Sequence, residues 1–298
     1  MTSPSNEFDP LYQQAFNALM VRDVAQARGL GARLSGLAET RDQTAQALNL
    51  DGMLARATAL EGSNSLGERS LRGWHMVMTG GVILRVSNRR TGDGAHNRRF
   101  GLHKDGPPVA LEAVRKIAYV TGVFDLQVPN ILFYPDWASA VLAHALGKAF
   151  GKMPRALTLP CEMPGIIIVY DMERLPLDQQ LAFAQRKPGQ MLWNHISRFT
   201  VDHPVAADFT TVLCRTNETP WEPGEDGRVP GGDSPFDLAE DVSTATLYDD
   251  ALADVPRIIT MCRAVASKAG EHGPSFLRSE GRRSPQPSRS PVSRGPSE

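Results

Sequence analysis

The sequence predicts an α+β protein: a helical N-terminal region packed on a small mixed sheet flanked by helices, followed by a disordered C-terminal tail. Three observations carry the prediction. In residues 164–199 a β-branched run, Ile166-Ile167-Ile168-Val169-Tyr170, precedes a turn and then helix formers, which marks the centre of the core. Residues 9–62 show apolar side chains at helical spacing. After Gly273 apolar residues give way to serine, proline and arginine, a composition that cannot bury a core. The chain divides accordingly into a helical region over 1–62, an α+β core over 63–272 and a tail over 273–298.

Taken in order, Asp9-Pro10 reads as an N-cap with proline at the first helical position. Leu11, Ala15, Phe16, Leu19 and Met20 form one stripe, and Gly29, Gly31 and Gly36 loosen or end that helix. Ala45, Leu48, Met53, Leu54, Ala57 and Leu60 form the stripe of a second, over 42–60, so two antiparallel helices are expected. Residues 74–86 read as two short strands around the turn Gly80-Gly81. Pro107-Pro108 open a helix that Gly122 stops. Residues 128–134 are a strand, with Pro129 at its entry. Asp136 caps a helix in which Ala138, Val141, Leu142, Ala145, Leu146 and Ala149 recur at the helical period until Gly151.

Residues 153–164 form a proline-rich connection to the central strand. A helix follows from Leu177, is broken at Pro188-Gly189 and resumes over 190–199. Residues 210–214 are one more strand, 217–241 a long acidic surface loop, and 247–268 the last helix, with Pro256 delaying its start.

Formal net charge is -1, which supplies no global field toward nucleic acid or an acidic membrane surface. Cys161, Cys214 and Cys262 are far apart and odd in number, so buried or half-buried thiols in a reducing compartment are expected. The opening residues carry no basic region and no apolar run, and no apolar stretch is long enough to span a bilayer. A cytoplasmic location is the expectation.

Phosphate-binding loops of the G-x-x-x-x-G-K-[ST] and G-x-G-x-x-G kinds are absent, as is the G-x-S-x-G nucleophile turn. No histidine is followed by glutamate, and no two lie four apart, so no helical zinc pair exists. The acidic stretch with Glu225, Asp226, Asp233, Asp237, Glu240 and Asp241 lacks calcium-loop spacing. Neither a catalytic residue, a metal nor a cofactor is assigned.

The strongest binding signal is a basic loop: Arg85, Arg89, Arg90, Arg98, Arg99 and Lys104 are opposed only by Asp93 and Asp105. Such a loop neutralises phosphates with salt-dependent affinity. The favoured reading is nevertheless a solvated loop, or one paired with the acidic segment 222–241. His195, one turn past the Pro188 break, and His203 form the alternative site, that of a hydrolase assembled from scattered residues.

From 107 to 199 the chain carries a helix ending at Ala118 to Val123, a strand beginning Val128-Pro129, the strand Ile166 to Val169, then Leu175 and a helix over Leu177 to Ala182. This order resembles the HtpX-like zinc metallopeptidases and the related domain of large bacterial helical-repeat proteins. In those peptidases the helix after the strand carries H-E-x-x-H; here it reads L-A-F-A-Q-R-K-P-G over 181–189, without a ligand. The resemblance therefore implies a metallopeptidase-like fold without zinc, and transfers no functional residue. The expected function is a non-catalytic interaction or scaffold protein with a protein partner. A nucleic-acid-binding module acting through residues 85–104 is the other alternative.

Overall fold

The structure is a computed structural model and describes residues 5–61, 66, 70–86, 102–198, 204–214, 216–221 and 234–278. The N-terminal region holds three helices rather than two: α1 (Ser5–Met20), α2 (Val24–Leu34) and α3 (Arg41–Glu61). The break falls at Arg22, whose φ of 69° ends α1, and Asp23 caps α2 by accepting the Gln26 N–H at 2.9 Å. Gly29 and Gly31, expected to loosen or end a helix, do not end one but lie inside α2. A Cβ on Gly31 would stand 2.7 Å from a Leu54 methyl, so the glycine lets α2 approach α3 closely.

Helix α4 (Leu71–Thr79) replaces the first of the two strands expected over 74–86. Every side chain of α4 is buried, so the stretch shows no polar face to reveal its period. Gly80, left-handed at φ 77°, ends it, and the short strand β1 (Val82–Ile83) follows. Then come β2 (Leu102–Lys104), α5 (Pro107–Val123), β3 (Ile131–Phe133) and α6 (Trp137–Phe150). Asp136 caps α6 through the Ser139 N–H at 2.7 Å, and left-handed Gly151 closes it, both as expected.

Strand β4 (Arg155–Ala156) interrupts the expected connection and leads to the central β5 (Gly165–Asp171) and the short α7 (Leu177–Ala182). In the stretch 190–199, expected as helix, the described residues form instead the strand β6 (Gln190–Arg198), after a turn at left-handed Gly189. Strand β7 (Phe209–Cys214) stands where a strand was expected. At the two ends of the expected acidic loop lie β8 (Thr216–Glu218) and α8 (Pro235–Thr244), the latter capped by Ser234. Helix α9 (Val255–Lys268) begins at the proline, as anticipated. Of the tail over 273–298, expected to be disordered, residues 273–278 pack on the core instead, with Phe276 buried against Phe124 and Phe209; residues 279–298 lie outside the described residues.

Six strands form one sheet in the order β1-β7-β6-β5-β3-β4, and every pair in it is parallel rather than mixed. A separate parallel pair joins β2 to β8. Alternate residues of β5 and β6 bury opposite faces. Ile166, Ile168, Met191 and Trp193 pack with the large helical cluster; Ile167, Val169 and Leu192 pack with Phe183, Leu175 and Val205. A parallel sheet covered on both sides buries consecutive residues whatever their polarity, which explains why β6 shows no plain alternation.

Two buried ion networks pin the edges of this arrangement. Lys116 of α5 reaches Glu112, Asp254 and the Leu84 carbonyl, each at 2.7 Å, while Arg72 donates to the carbonyls of Ile83 and Leu84 and meets Asp254. The last carbonyl of β1 and the one just after it are thereby taken by side chains, which blunts an edge strand. Arg186, just after α7, meets Asp208 at 3.1 Å before β7, with both side chains withdrawn from water.

Candidate functional site

Counted from β3, the strands run β4-β3-β5-β6-β7, the 2-1-3-4-5 order of a doubly wound sheet. In such a sheet the crevice lies at the carboxyl ends of the strands. Here that edge carries Tyr170 and Asp171 at the end of β5, and His195 on β6. Register places His195 beside Tyr170, between the pairs Val169–Asn194 and Asp171–Ile196. Their rings stack with centroids 5.4 Å apart, and Trp193 and Trp221 close around the imidazole at 5.8 and 6.3 Å.

The cluster is completed from a distant stretch. Asp105 lies between β2 and α5, held by its N–H to the Glu218 carbonyl at 2.9 Å and by its Oδ1, which accepts the Gly106 N–H. Its Oδ2 receives the Tyr170 hydroxyl at 2.8 Å and stands 3.0 Å from His195 Nε2. Asn217 of β8 donates to the Tyr170 oxygen at 2.8 Å. The side chains of His195 and Asp105 are both 0% exposed.

These contacts assign proton positions. Tyr170 must donate to the carboxylate, and its hydroxyl pKa is raised by burial and then by the negative charge of Asp105. A carboxylate oxygen accepts, so His195 carries its proton on Nε2, and in the neutral ring Nδ1 is a lone pair. That nitrogen has no hydrogen-bond partner, and neither does Asn217 Oδ1. Each unpaired buried acceptor costs about 1–3 kcal/mol.

Beside this cluster the carboxyl ends of β3 and β5 carry acids. Asp171 accepts the Glu173 N–H at 3.1 Å and faces Arg174 at 3.3 Å and Arg198 at 3.7 Å, and Arg198 also meets Glu173 at 2.9 Å. Burial first, then Glu173, raises the Asp171 pKa against the pull of the two arginines. Asp136 is raised by burial as well, and its Oδ2 accepts the Ser139 hydroxyl, whose oxygen accepts the Tyr170 N–H at 2.8 Å. Burial and the charge of Asp171 push the Cys214 thiol to about 12, far from a reactive thiolate. An imidazole oriented by a carboxylate can accept a proton or a hydrogen bond. Among the described residues no serine, threonine or cysteine is bonded to it, and no three ligands gather for a metal.

Of the residues singled out from sequence, His195 belongs to this site, on a strand rather than a helix. His203 lies outside the described residues, as do Arg89, Arg90, Arg98 and Arg99. Arg85 is not a loop cation: it pairs with buried Glu112 and lies 5.5 Å from the Tyr248 ring. Lys104 is exposed and faces Glu218 at 3.9 Å. Among the described residues, neither meets the expected pairing partner, the acidic segment, of which 222–233 lie outside the description. Asp237, Glu240 and Asp241 ride on α8, where Glu240 pairs with Lys148.

Asp105, Tyr170, Asn217 and Trp221 escaped the sequence reading as site residues. One signal was there: Tyr170-Asp171 ends the most apolar strand, where a parallel sheet places its binding residues. Comparison with protein-family models, curated proteins and solved structures returns no match.

Proposed function

We propose that the protein acts by binding, as a non-catalytic interaction module of the cytoplasm, and that its recognition site is the carboxyl edge of β5 and β6. The observation that carries the reading is His195 Nδ1: a buried acceptor, oriented through Asp105, with no donor of its own. A bound molecule bearing an N–H or O–H would satisfy it, and Asn217 Oδ1 offers a second acceptor nearby. Three thiols without a disulfide are in keeping with a reducing compartment. No helix of the described residues is long and apolar enough to cross a membrane. The HtpX-like resemblance contributes no residue to this site.

Thermal-shift measurement of the full chain against nucleosides, amino acids and polyamines tests the reading. The expected result is at least one saturable rise in Tm that His195→Phe abolishes and the distant Arg155→Gln retains. A panel without effect, or a rise that His195→Phe keeps, goes against it. Nitrogen NMR of histidine-labelled protein gives a second check: a protonated Nδ1 on His195 in the free protein would remove the acceptor.

A further inference from the structure

The recognition site at the carboxyl edge of β5 and β6 is sealed. The side chains of His195 and Asp105 are 0% exposed and Trp221 is 2% exposed, so a ligand reaches His195 Nδ1 only when part of the enclosure moves. One wall of it is fixed. Tyr170 and Trp193 stand on β5 and β6, inside the six-stranded sheet, and pack in the large helical cluster. The facing wall comes from β2 and β8, strands of three residues that form a separate two-stranded sheet. A pair of that size is marginal by itself and depends on what it touches.

The joint between the two walls centres on one oxygen. The Tyr170 hydroxyl donates to Asp105 at 2.8 Å, accepts from Asn217 at 2.8 Å and is bonded by Thr219. Asp105 continues to His195 Nε2 at 3.0 Å. Water can replace each of these polar contacts when the walls part. Closure also leaves His195 Nδ1 and Asn217 Oδ1 buried without donors, and opening wets both, which offsets part of the bonds lost. Both ends of the pair have a place to turn. Gly106 separates Asp105 from α5, and a turn leads from Thr219 to Trp221, whose ring belongs to the main cluster.

We propose that the β2–β8 pair is a lid over the His195 site, latched by the Tyr170 hydroxyl and able to open while the six-stranded sheet stays folded. Its regulatory role rests on the reading of that site as the place of binding. Opening turns the pair about Gly106 and the turn before Trp221, and exposes the imidazole acceptor to an entering N–H or O–H.

Native-state hydrogen exchange of the full chain in low urea tests the lid. The Asp105 N–H, bonded to the Glu218 carbonyl at 2.9 Å, and its neighbours in β2 and β8 should exchange about a hundredfold faster than amides of β5 and β6, with a shallower dependence on urea. Gly165→Ala, which weakens the main sheet, should speed exchange in β5 and β6 and leave β2 and β8 unchanged. Tyr170→Phe, which removes the latch, should speed β2 and β8 about tenfold, and diethyl pyrocarbonate should label His195 faster by the same factor. Exchange of all four strands in one step with global unfolding overturns the lid, as does a His195 that resists labelling while β2 and β8 exchange early. Should a variant fail to fold, the wild-type exchange order and labelling decide. A lid that opens over a site no ligand enters counts against the binding reading alone; a ligand bound by a chain whose β2 and β8 open only with the whole fold counts against the lid alone.

Discussion

The Asp105 carboxylate and the His195 imidazole, 90 positions apart in the chain, meet at 3.0 Å where the small β2–β8 pair abuts the end of β6. Tyr170 donates to the same carboxylate oxygen, so two side chains depend on one negative charge. Asp105→Asn should cost about 2–3 kcal/mol and Tyr170→Phe about 1–2 kcal/mol. Because both changes disturb one oxygen, the double variant should lose less than the two costs added together. Urea unfolding of the four proteins measures this, and strict additivity would contradict a shared charge.

Arg186 and Asp208 make a different kind of contact, a pair wholly withdrawn from water whose acid also accepts the Leu192 N–H at 2.8 Å. Removing one partner leaves the other charge stranded. Asp208→Ala should lose about 3–5 kcal/mol, while the joint change Arg186→Met with Asp208→Leu should recover most of it. Denaturant midpoints of the two variants decide between them; equal midpoints would deny the pair its energetic role.

His75 predicts how stability responds to mild acid. It is buried on α4, and burial lowers its pKa to about 4 from the ordinary 6.5. Between those values the unfolded chain takes up a proton that the folded chain refuses, so stability rises with pH across that window. The contribution is whole above 6.5, is lost as pH falls toward 4, and amounts to roughly 3 kcal/mol. Asp136 and Asp171, raised by burial, act oppositely at the acid end, where they keep protons in the fold. Unfolding midpoints of the wild type and His75→Leu at pH 7 and 5 should diverge, the variant being flatter. Parallel pH profiles would place the titration elsewhere.

Gly165 opens the central strand at φ 146°, a region that disfavours any side chain. A Cβ there would collide with the Asn130 carbonyl oxygen, which accepts the Ile166 N–H at 3.0 Å. Gly165→Ala should therefore destabilise by about 3 kcal/mol through strain and a displaced β3–β5 contact. Circular dichroism melts measure the loss, and a melt like that of the wild type would refute the close approach.

Local chemistry made several elements legible. Asp136 and Gly151 bracket α6, paired prolines open α5, and the isoleucine run makes β5, because caps, prolines and β-branched side chains act within a few residues of themselves. Where burial is complete that signal vanishes. Helix α4 and strand β6 are enclosed on all sides, so neither shows the polar face by which a period is read. His195 was picked out from its sequence neighbours, yet its partner Asp105 looked like a counter-charge to the arginines of the loop before it.

The sequence by itself determined where the chain caps, turns and packs apolar residues, since each of those choices is settled by a residue and its nearest neighbours. Only the tertiary structure decided which charges meet. A parallel sheet joins its strands through long connections, so Asp105 reaches His195 across a separation that no local pattern encodes.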